Sequence, residues 1–342
     1  MKIYIPLILI IITFFIKHIF IKNKYLLSNT GDAHQYFINK SNIPLIGGFL
    51  VLFSFIIIYF NENNFLFFLF LSFLFFLGII SDSKKIQSAK FRLFFQFLII
   101  LIYIVFADIK LSSTGVLILD DYNKNDIFNY LFVTFCLLIL INGSNFIDGL
   151  NGLCLGYYLL ILLFIFFINI NNNLFSDNLG LIIFGLSLLV LLIFNFFNQI
   201  FMGDNGSYIL AMIFGFNLID IYNNNNFISP FYIILLLWYP CFELLFSIIR
   251  KFNFGNSPLD PDTNHLHQLI FYLISKKYKF KKIISNNLAS FILLTYNFVI
   301  FYLAYKNISH SQLQIILFIL SIILYCFVYL KLLNWKKKSI KK

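Results

Sequence analysis

Long apolar runs and short polar islands alternate along most of the chain. The apolar runs predict about eleven helices, over residues 3–21, 43–60, 65–80, 93–106, 127–141, 153–170, 179–197, 208–219, 228–249, 283–305 and 313–333. Several are shorter than the ~20 residues a helix needs to cross a bilayer. Segment 208–219 is the weakest, so the pattern fits ten spans as well as eleven. No internal repeat and no separate soluble segment interrupts it. The expectation is an all-α, polytopic integral membrane protein forming one membrane-embedded domain over 1–342, with its motifs in 44–267 and a basic tail at 331–342.

Composition agrees. Of 342 residues, 61% are hydrophobic and 11% charged, where a soluble fold carries about 25% charged residues. A net charge of +11 would suggest nucleic acid if it covered a soluble surface, but its placement excludes that partner. Alternate loops and the tail hold Lys22, Lys24, Lys40, Lys84, Lys85, Lys90, Arg92, Arg250, Lys251, the lysines of 276–282 and those of 331–342. The opposite loops hold only Lys2, Lys110, Lys124 and Lys306. The positive-inside rule makes the first set cytoplasmic, with the N-terminus outside and the C-terminus inside. Cys136, Cys154, Cys241 and Cys326 lie far apart in or beside apolar runs and read as small core residues, not a disulfide or zinc framework. The N-terminal run has no small-residue cleavage site and reads as a retained span.

The polar islands on the cytoplasmic side carry the chemistry. Residues 142–153 hold three asparagines, an aspartate and three glycines between two apolar runs. Such groups beside a span are expensive unless they face water, a metal or a ligand. Asn142, Asn145 and Asp148 are three apart, which on a helix sets them along one face; a simple Asn/Asp/Gly turn is the other reading. Residues 200–207 end in Gly203-Asp204-Asn205-Gly206-Ser207 before an apolar helix. Backbone N–H groups there suit an anion, and Asp204 offers oxygen to Mg²⁺, which favours one or two carboxylates plus substrate phosphates. Helix capping is the alternative. Asp82 ends an apolar span, where an acid opposes the helix dipole, although a solvated loop acid reads equally well. Pro44-Leu-Ile-Gly-Gly48 reads as a helix start with glycines for close packing. Residues 250–267 hold Arg250, Lys251, Asp262, His265 and His267. Convincing further zinc ligands are missing, and two imidazoles near basic residues suit a phosphate or diphosphate better than a solvated loop does. Together these islands describe a site for a polyanionic substrate with Mg²⁺, beside a bilayer that supplies a second substrate.

The ordered motifs are Pro-x-x-Gly-Gly, Gly-x-x-x-Asp, Asn-x-x-Asn-x-x-Asp-Gly-x-x-Gly-Leu, Phe-Met-Gly-Asp-x-Gly-Ser and Ser-Pro-x-x-Pro-Asp-x-x-His-Leu-His, between Pro44 and His267. In these the chain resembles the polyprenyl-phosphate N-acetylhexosamine-1-phosphate transferases. The His-Leu-His-Gln sequence sits closer to the branch that transfers GlcNAc-1-phosphate from UDP-GlcNAc to undecaprenyl phosphate than to the muramoyl-pentapeptide branch. The resemblance implies transfer of a sugar-1-phosphate, of an N-acetylhexosamine, from a UDP-sugar to polyprenyl phosphate, with release of UMP and Mg²⁺ as cofactor, priming a cell-envelope glycan such as lipopolysaccharide. It places the chain in a bacterial inner membrane with the site on the cytoplasmic face, and leaves a homodimer open. Carried over, Asp204 binds the metal with Asn145, and Asp82 orients or deprotonates the lipid phosphate. Asp148 organises the nucleotide site, and His265 with His267 holds the diphosphate or sugar phosphate. Asn142, Gly203, Ser207, Arg250 and Asp262 complete the substrate site. Two departures stand out: Ser81-Asp82 replaces the family's paired aspartates, and Glu243 replaces an aspartate on the ninth span. An inactive family member, on the strength of Ser81, and a transporter or flippase for an anion are the other readings.

Overall fold

The computed structural model describes residues 2–28, 42–85, 88–172, 178–255, 257–258, 260 and 262–341. Lys40, Asn256, Leu259, Pro261 and Lys342, which fall within the readings above, lie outside the described residues. The described chain is all-helical, with no strand. Its helices are α1 (Ile5–Lys22), α2 (Gly47–Tyr59), α3 (Phe65–Asp82), α4 (Ala89–Phe106), α5 (Leu117–Asn123), α6 (Asp126–Ile147), α7 (Leu153–Asn172), α8 (Asn178–Phe196), α9 (Gly203–Asn223), α10 (Pro230–Asn253), α11 (Leu266–Tyr278), α12 (Lys282–Tyr305) and α13 (Ser311–Lys341). Every apolar segment of the sequence has its helix; α5 and α11 are additional.

Nine helices among the described residues are long and apolar enough to cross a membrane. They expose large apolar side chains such as Ile11, Phe15, Phe76, Phe106 and Phe291, the pattern of surfaces that meet lipid rather than water. The two remaining predicted spans are inner members of the bundle. Helix α2 has only 13 residues. Helix α9 has 21, but it opens on the polar Gly203–Ser207 turn, which lowers its average. It is buried around its circumference between α2, α3 and α6, as a helix lacking a polar face must be. Close approach is set by glycine: a Cβ on Gly48 or Gly78 would collide with the backbone of Asn205. That drives the start of α9 against α2 and the end of α3.

Helix α10 contains Pro240, whose ring denies a hydrogen bond to the carbonyl four residues earlier. That carbonyl, Leu236 O, accepts instead from the Tyr157 hydroxyl of α7 at 2.9 Å. The orphaned group is thus satisfied inside the bundle, as hydrocarbon surroundings require. Helix α13 runs 31 residues, ~46 Å at 1.5 Å per residue and longer than the ~30 Å apolar core. Its far end packs on α11, where Lys336 donates to Thr263 O at 3.0 Å and Asn264 Oδ1 at 2.8 Å.

The ends of α3, α6, α8, α10 and α13 and the starts of α4, α7, α9 and α12 gather at one end of the bundle. Every polar island read as cytoplasmic sits there.

Candidate active site

The first half of the site is built around the N-terminus of α9. Gly203 has φ +70°, the left-handed region, and a Cβ there would come within 2.8 Å of Asp82 Oδ2; glycine is what allows the turn and the carboxylate to meet. Asp82 Oδ1 accepts the Asp204 N–H at 2.9 Å, and Oδ2 accepts the Asn205 N–H at 3.1 Å and the Asn205 amide. Asn205 Nδ2 also donates to Leu45 O at 3.1 Å, tying in the Pro44–Gly48 motif. An acid that looks misplaced at the end of α3 is therefore the cap of α9, where unpaired N–H groups and the positive end of the dipole favour it.

Asp204 is where the elements converge. Its Oδ1 accepts from the Asn145 amide of α6. Its Oδ2 accepts from the Ser81 hydroxyl of α3, from Arg92 Nη1 of α4 at 3.0 Å and from the Tyr208 hydroxyl at 3.2 Å. Arg92 Nη1 also donates to Ser81 Oγ at 2.9 Å. Asn145 Nδ2 lies 3.4 Å from Ser207 Oγ. Helix α6 runs through Ile147, so Asn142 and Asn145 are helical and Asp148 is the helix's C-cap. The Asp148 carboxyl is held well above the ordinary value, first by burial and then by the charges of Asp82 and Asp204, against a hydrogen bond from the Gly203 N–H. Three carboxylates thus lie near one another, with Arg92 the cation paired to Asp204.

An asparagine lattice fixes the two loops relative to each other. The Asn151 N–H donates to Asn286 Oδ1 at 2.7 Å, and the Asn151 amide to Asn198 Oδ1. The Gly152 N–H donates to Asn195 Oδ1, whose amide donates to Ile200 O at 2.9 Å.

The second half comes from α10 and the segment before α11. His265 Nδ1 lies 3.0 Å from Glu243 Oε1 and Nε2 lies 3.3 Å from Asp262 Oδ1. Arg250 pairs with Asp262 and donates to Ser247 Oγ at 3.1 Å. Burial works against a charged imidazole at His265, but its hydrogen bonds to Asp262 and Glu243 outweigh burial and hold it above 6.5. Burial likewise pushes Asp262 up, and the hydrogen bonds from His265 and Arg250 overcome it and hold the carboxyl below 3.8. His267 differs: it is fully buried, and neither ring nitrogen has a hydrogen-bond partner among the described residues. Burial pushes its pKa down to about 3, so it is neutral at ordinary pH. Its Nε2 is 2.9 Å from the point a Cβ on Gly149 would take. The two halves meet there, with the Phe146 ring 5.0 Å from the His265 ring and 5.9 Å from Lys251 Nζ.

The placements refine the sequence readings. Asp82, Asn145, Asp148, Gly203, Asp204 and Ser207 come together. Arg250, Asp262 and His265 form a closed charge network with Glu243, so His265 has both nitrogens engaged and His267 is the histidine left open. Asn142 turns aside and donates to Gln96 Oε1 and Leu138 O, both at 2.9 Å. Arg92 follows Asp82 in the sequence together with Lys90 and Gln96; its signal is the polar pair Arg92 and Gln96, one turn apart on α4.

Metal donors follow the same geometry. Among the described residues no three His, Cys, Asp or Glu side chains stand close enough to enclose a metal by themselves. Asp204 with Asn145 supplies one carboxylate and, on rotation of the amide, one amide oxygen. That donor set fits Mg²⁺, which takes few protein ligands and completes its shell with water and phosphate.

Comparison with known proteins bears on this end of the bundle. Residues 64–222 match the family Glycosyl transferase family 4. The matched stretch contains Ser81, Asp82, Arg92, Asn145, Asp148 and Asp204. The chain is similar to the undecaprenyl-phosphate alpha-N-acetylglucosaminyl 1-phosphate transferase of Escherichia coli (strain K12), 25% identical over 67% of this chain and 65% of the relative. It is also similar to the Yersinia pestis protein of the same name, 26% identical over 67% of this chain and 65% of the relative. A third relative is the decaprenyl-phosphate N-acetylglucosaminephosphotransferase of Mycolicibacterium smegmatis, 26% identical over 48% of this chain and 45% of the relative. The chain thus spans about two thirds of the length of the curated relatives it matches. The resemblance read from the motifs is the one these relatives carry.

Proposed function

We propose that this protein transfers a sugar-1-phosphate, that of an N-acetylhexosamine, from a UDP-sugar to polyprenyl phosphate. An oxygen of the lipid phosphate attacks the phosphorus that carries the sugar, the bond from that phosphorus to the bridging oxygen breaks, and UMP leaves. The observation that carries the reading is the convergence on Asp204 of side chains from three matched motifs, at a bundle end next to the bilayer. Phosphoryl transfer asks the protein chiefly for positioning and charge neutralisation. Mg²⁺ held by Asp204 and Asn145 would neutralise the diphosphate and polarise the leaving phosphate. Asp82 fixes the Gly203 turn so that Asp204 faces the site. Asp148 lies beside both acids, where a nucleotide would be organised. The buried, neutral His267 offers a nitrogen to the diphosphate or sugar phosphate, and the His265 ring of the Glu243–His265–Asp262–Arg250 network stacks on it with centroids 5.5 Å apart.

The flanking Lys84, Lys85, Lys90, Lys251 and Lys336 make the site end the basic end, which supports a cytoplasmic site in a bacterial inner membrane. All three acids lie at helix ends, as Asp82 closes α3, Asp148 caps α6 and Asp204 opens α9. A transporter would set its polar groups near the bilayer midplane, so the enzyme reading is preferred. Membranes holding the protein, incubated with a panel of radiolabelled UDP-sugars, polyprenyl phosphate and Mg²⁺, should release UMP and label the lipid. Release of no UMP from any donor would sink the proposal.

A further inference from the structure

The Asp204 carboxylate, proposed to ligate a metal with Asn145 on its Oδ1 side, already has a cation on Oδ2. Arg92 Nη1 sits 3.0 Å away, positioned by Ser81 Oγ at 2.9 Å. A guanidinium is a permanent charge, and among the described residues no other carboxylate is paired with this one. A divalent ion on the same carboxylate would face like-charge repulsion at a few ångströms unless Arg92 moved away. We infer that Arg92 is a resident counter-cation that competes with the divalent metal for Asp204. The inference rests on the reading of Asp204 as metal ligand. Ser81 is part of the device: its hydroxyl donates to Asp204 and accepts from Arg92, bridging the two, which a carboxylate there could not do. Metal loading is then weak in the free protein and strengthens when a phosphate group draws the guanidinium away, since two ligands that each relieve the other's cost bind cooperatively.

The test measures binding rather than turnover. Purified full-length protein in detergent, without substrate, is titrated with Mn²⁺, and free ion is read from its electron paramagnetic resonance signal. A half-exposed ion pair is worth up to ~1 kcal/mol, so Arg92→Gln and Arg92→Ala should bind Mn²⁺ about fivefold more tightly than the parent. Arg92→Lys, which keeps the charge without the fork, should fall between. Lys90 is exposed on the same turn, and Lys90→Gln should leave the affinity within about twofold of the parent, on the weak screened interaction expected at an exposed site. Asp204→Asn should abolish the site. Circular dichroism and gel filtration establish that each variant is folded, and Arg92→Lys carries the test if the neutral variants do not fold. Unchanged or weaker binding in the folded Arg92 variants, with Asp204→Asn still abolishing it, overturns the competition and leaves the metal reading standing. An equal gain in Lys90→Gln also overturns it, since a general field would then be the cause. Binding indifferent to Asp204→Asn, or none in parent and Arg92 variants alike, overturns the metal reading and the inference together.

Discussion

Asp82 and Asp204 are joined through the backbone: the carboxylate of the first accepts the N–H of the second at 2.9 Å. The last residue of one helix thereby caps the first turn of another. Loss of a cap costs about 1–2 kcal/mol, and here it also releases the turn that aims Asp204. Asp82→Ala should lower the unfolding midpoint and cut activity, while Asp82→Asn, which keeps one acceptor, should lose less stability. Equal stability of the two variants in thermal unfolding would show that Asp82 does not cap α9.

On the proposed function Asn145 and Asp204 would hold the metal, with unequal roles. Asp204→Asn removes the single carboxylate of the donor set and should reduce UMP release by at least about 10²-fold, the scale of losing a main electrostatic group. Asn145→Ala leaves that carboxylate and should weaken Mg²⁺ dependence by about 10–100-fold, with partial recovery at high Mg²⁺. A Mg²⁺ titration of activity checks both. Recovery in Asp204→Asn to the parent rate would refute the assignment.

How much of this was legible depended on whether a residue's partner was near in sequence. The helices were legible because apolar runs of bilayer length have few alternatives, and Asp204 because a Gly-Asp-x-Gly-Ser turn opens a helix. Helix α9, the weakest span in the sequence, falls outside the nine helices apolar enough to cross a membrane, and its burial is supplied by α2, α3 and α6 rather than by its own composition. Arg92 and Ser81 were hard to place, since their partner Asp204 lies more than a hundred residues away and no local pattern encodes such a pair. His265 and His267 looked alike in sequence. Glu243 on α10 and Asp262 separate them, by engaging His265 and leaving His267 without a hydrogen-bond partner among the described residues.

Ser81 tests what the missing acid would do. Since Ser81 Oγ touches both Asp204 and Arg92, Ser81→Asp sets a second carboxylate beside the first and offers Arg92 another partner. Mg²⁺ should then be needed at a lower concentration for half-maximal rate, by a few-fold. Ser81→Ala loses only hydrogen bonds worth about 1 kcal/mol and should shift that concentration less. A higher Mg²⁺ requirement in Ser81→Asp would contradict this placement.

Tyr157 and Pro240 give a purely structural prediction. The hydroxyl of Tyr157 satisfies the Leu236 carbonyl that Pro240 frees. Tyr157→Phe leaves that buried acceptor unpaired and should cost about 1–3 kcal/mol. Replacing Pro240 with Ala as well lets α10 supply its own N–H, so the double variant should recover part of the loss. Additive losses in a thermal-unfolding cycle would show that the two residues are uncoupled.

The His265–Asp262 pair predicts a pH window for stability. His265 is held above 6.5 in the fold, so its contribution is complete below 6.5 and fades as pH rises through the raised value. Asp262 is held below 3.8, so its contribution is complete above 3.8 and fades as pH falls through the lowered value. Both are complete between those limits. The stability gap between the parent and His265→Gln should therefore be widest from about pH 4 to 6.5 and narrow on the alkaline side. His267, held down to about 3 by burial, stays neutral in the fold while the unfolded imidazole charges below 6.5, so it subtracts stability as pH falls from 6.5 toward 4, a loss that His267→Gln should remove. Thermal midpoints of parent, His265→Gln and His267→Gln across pH 4–9 decide the matter. A gap for His265→Gln that widens above 6.5 would reverse the sign and rule out a charged imidazole between the two carboxylates.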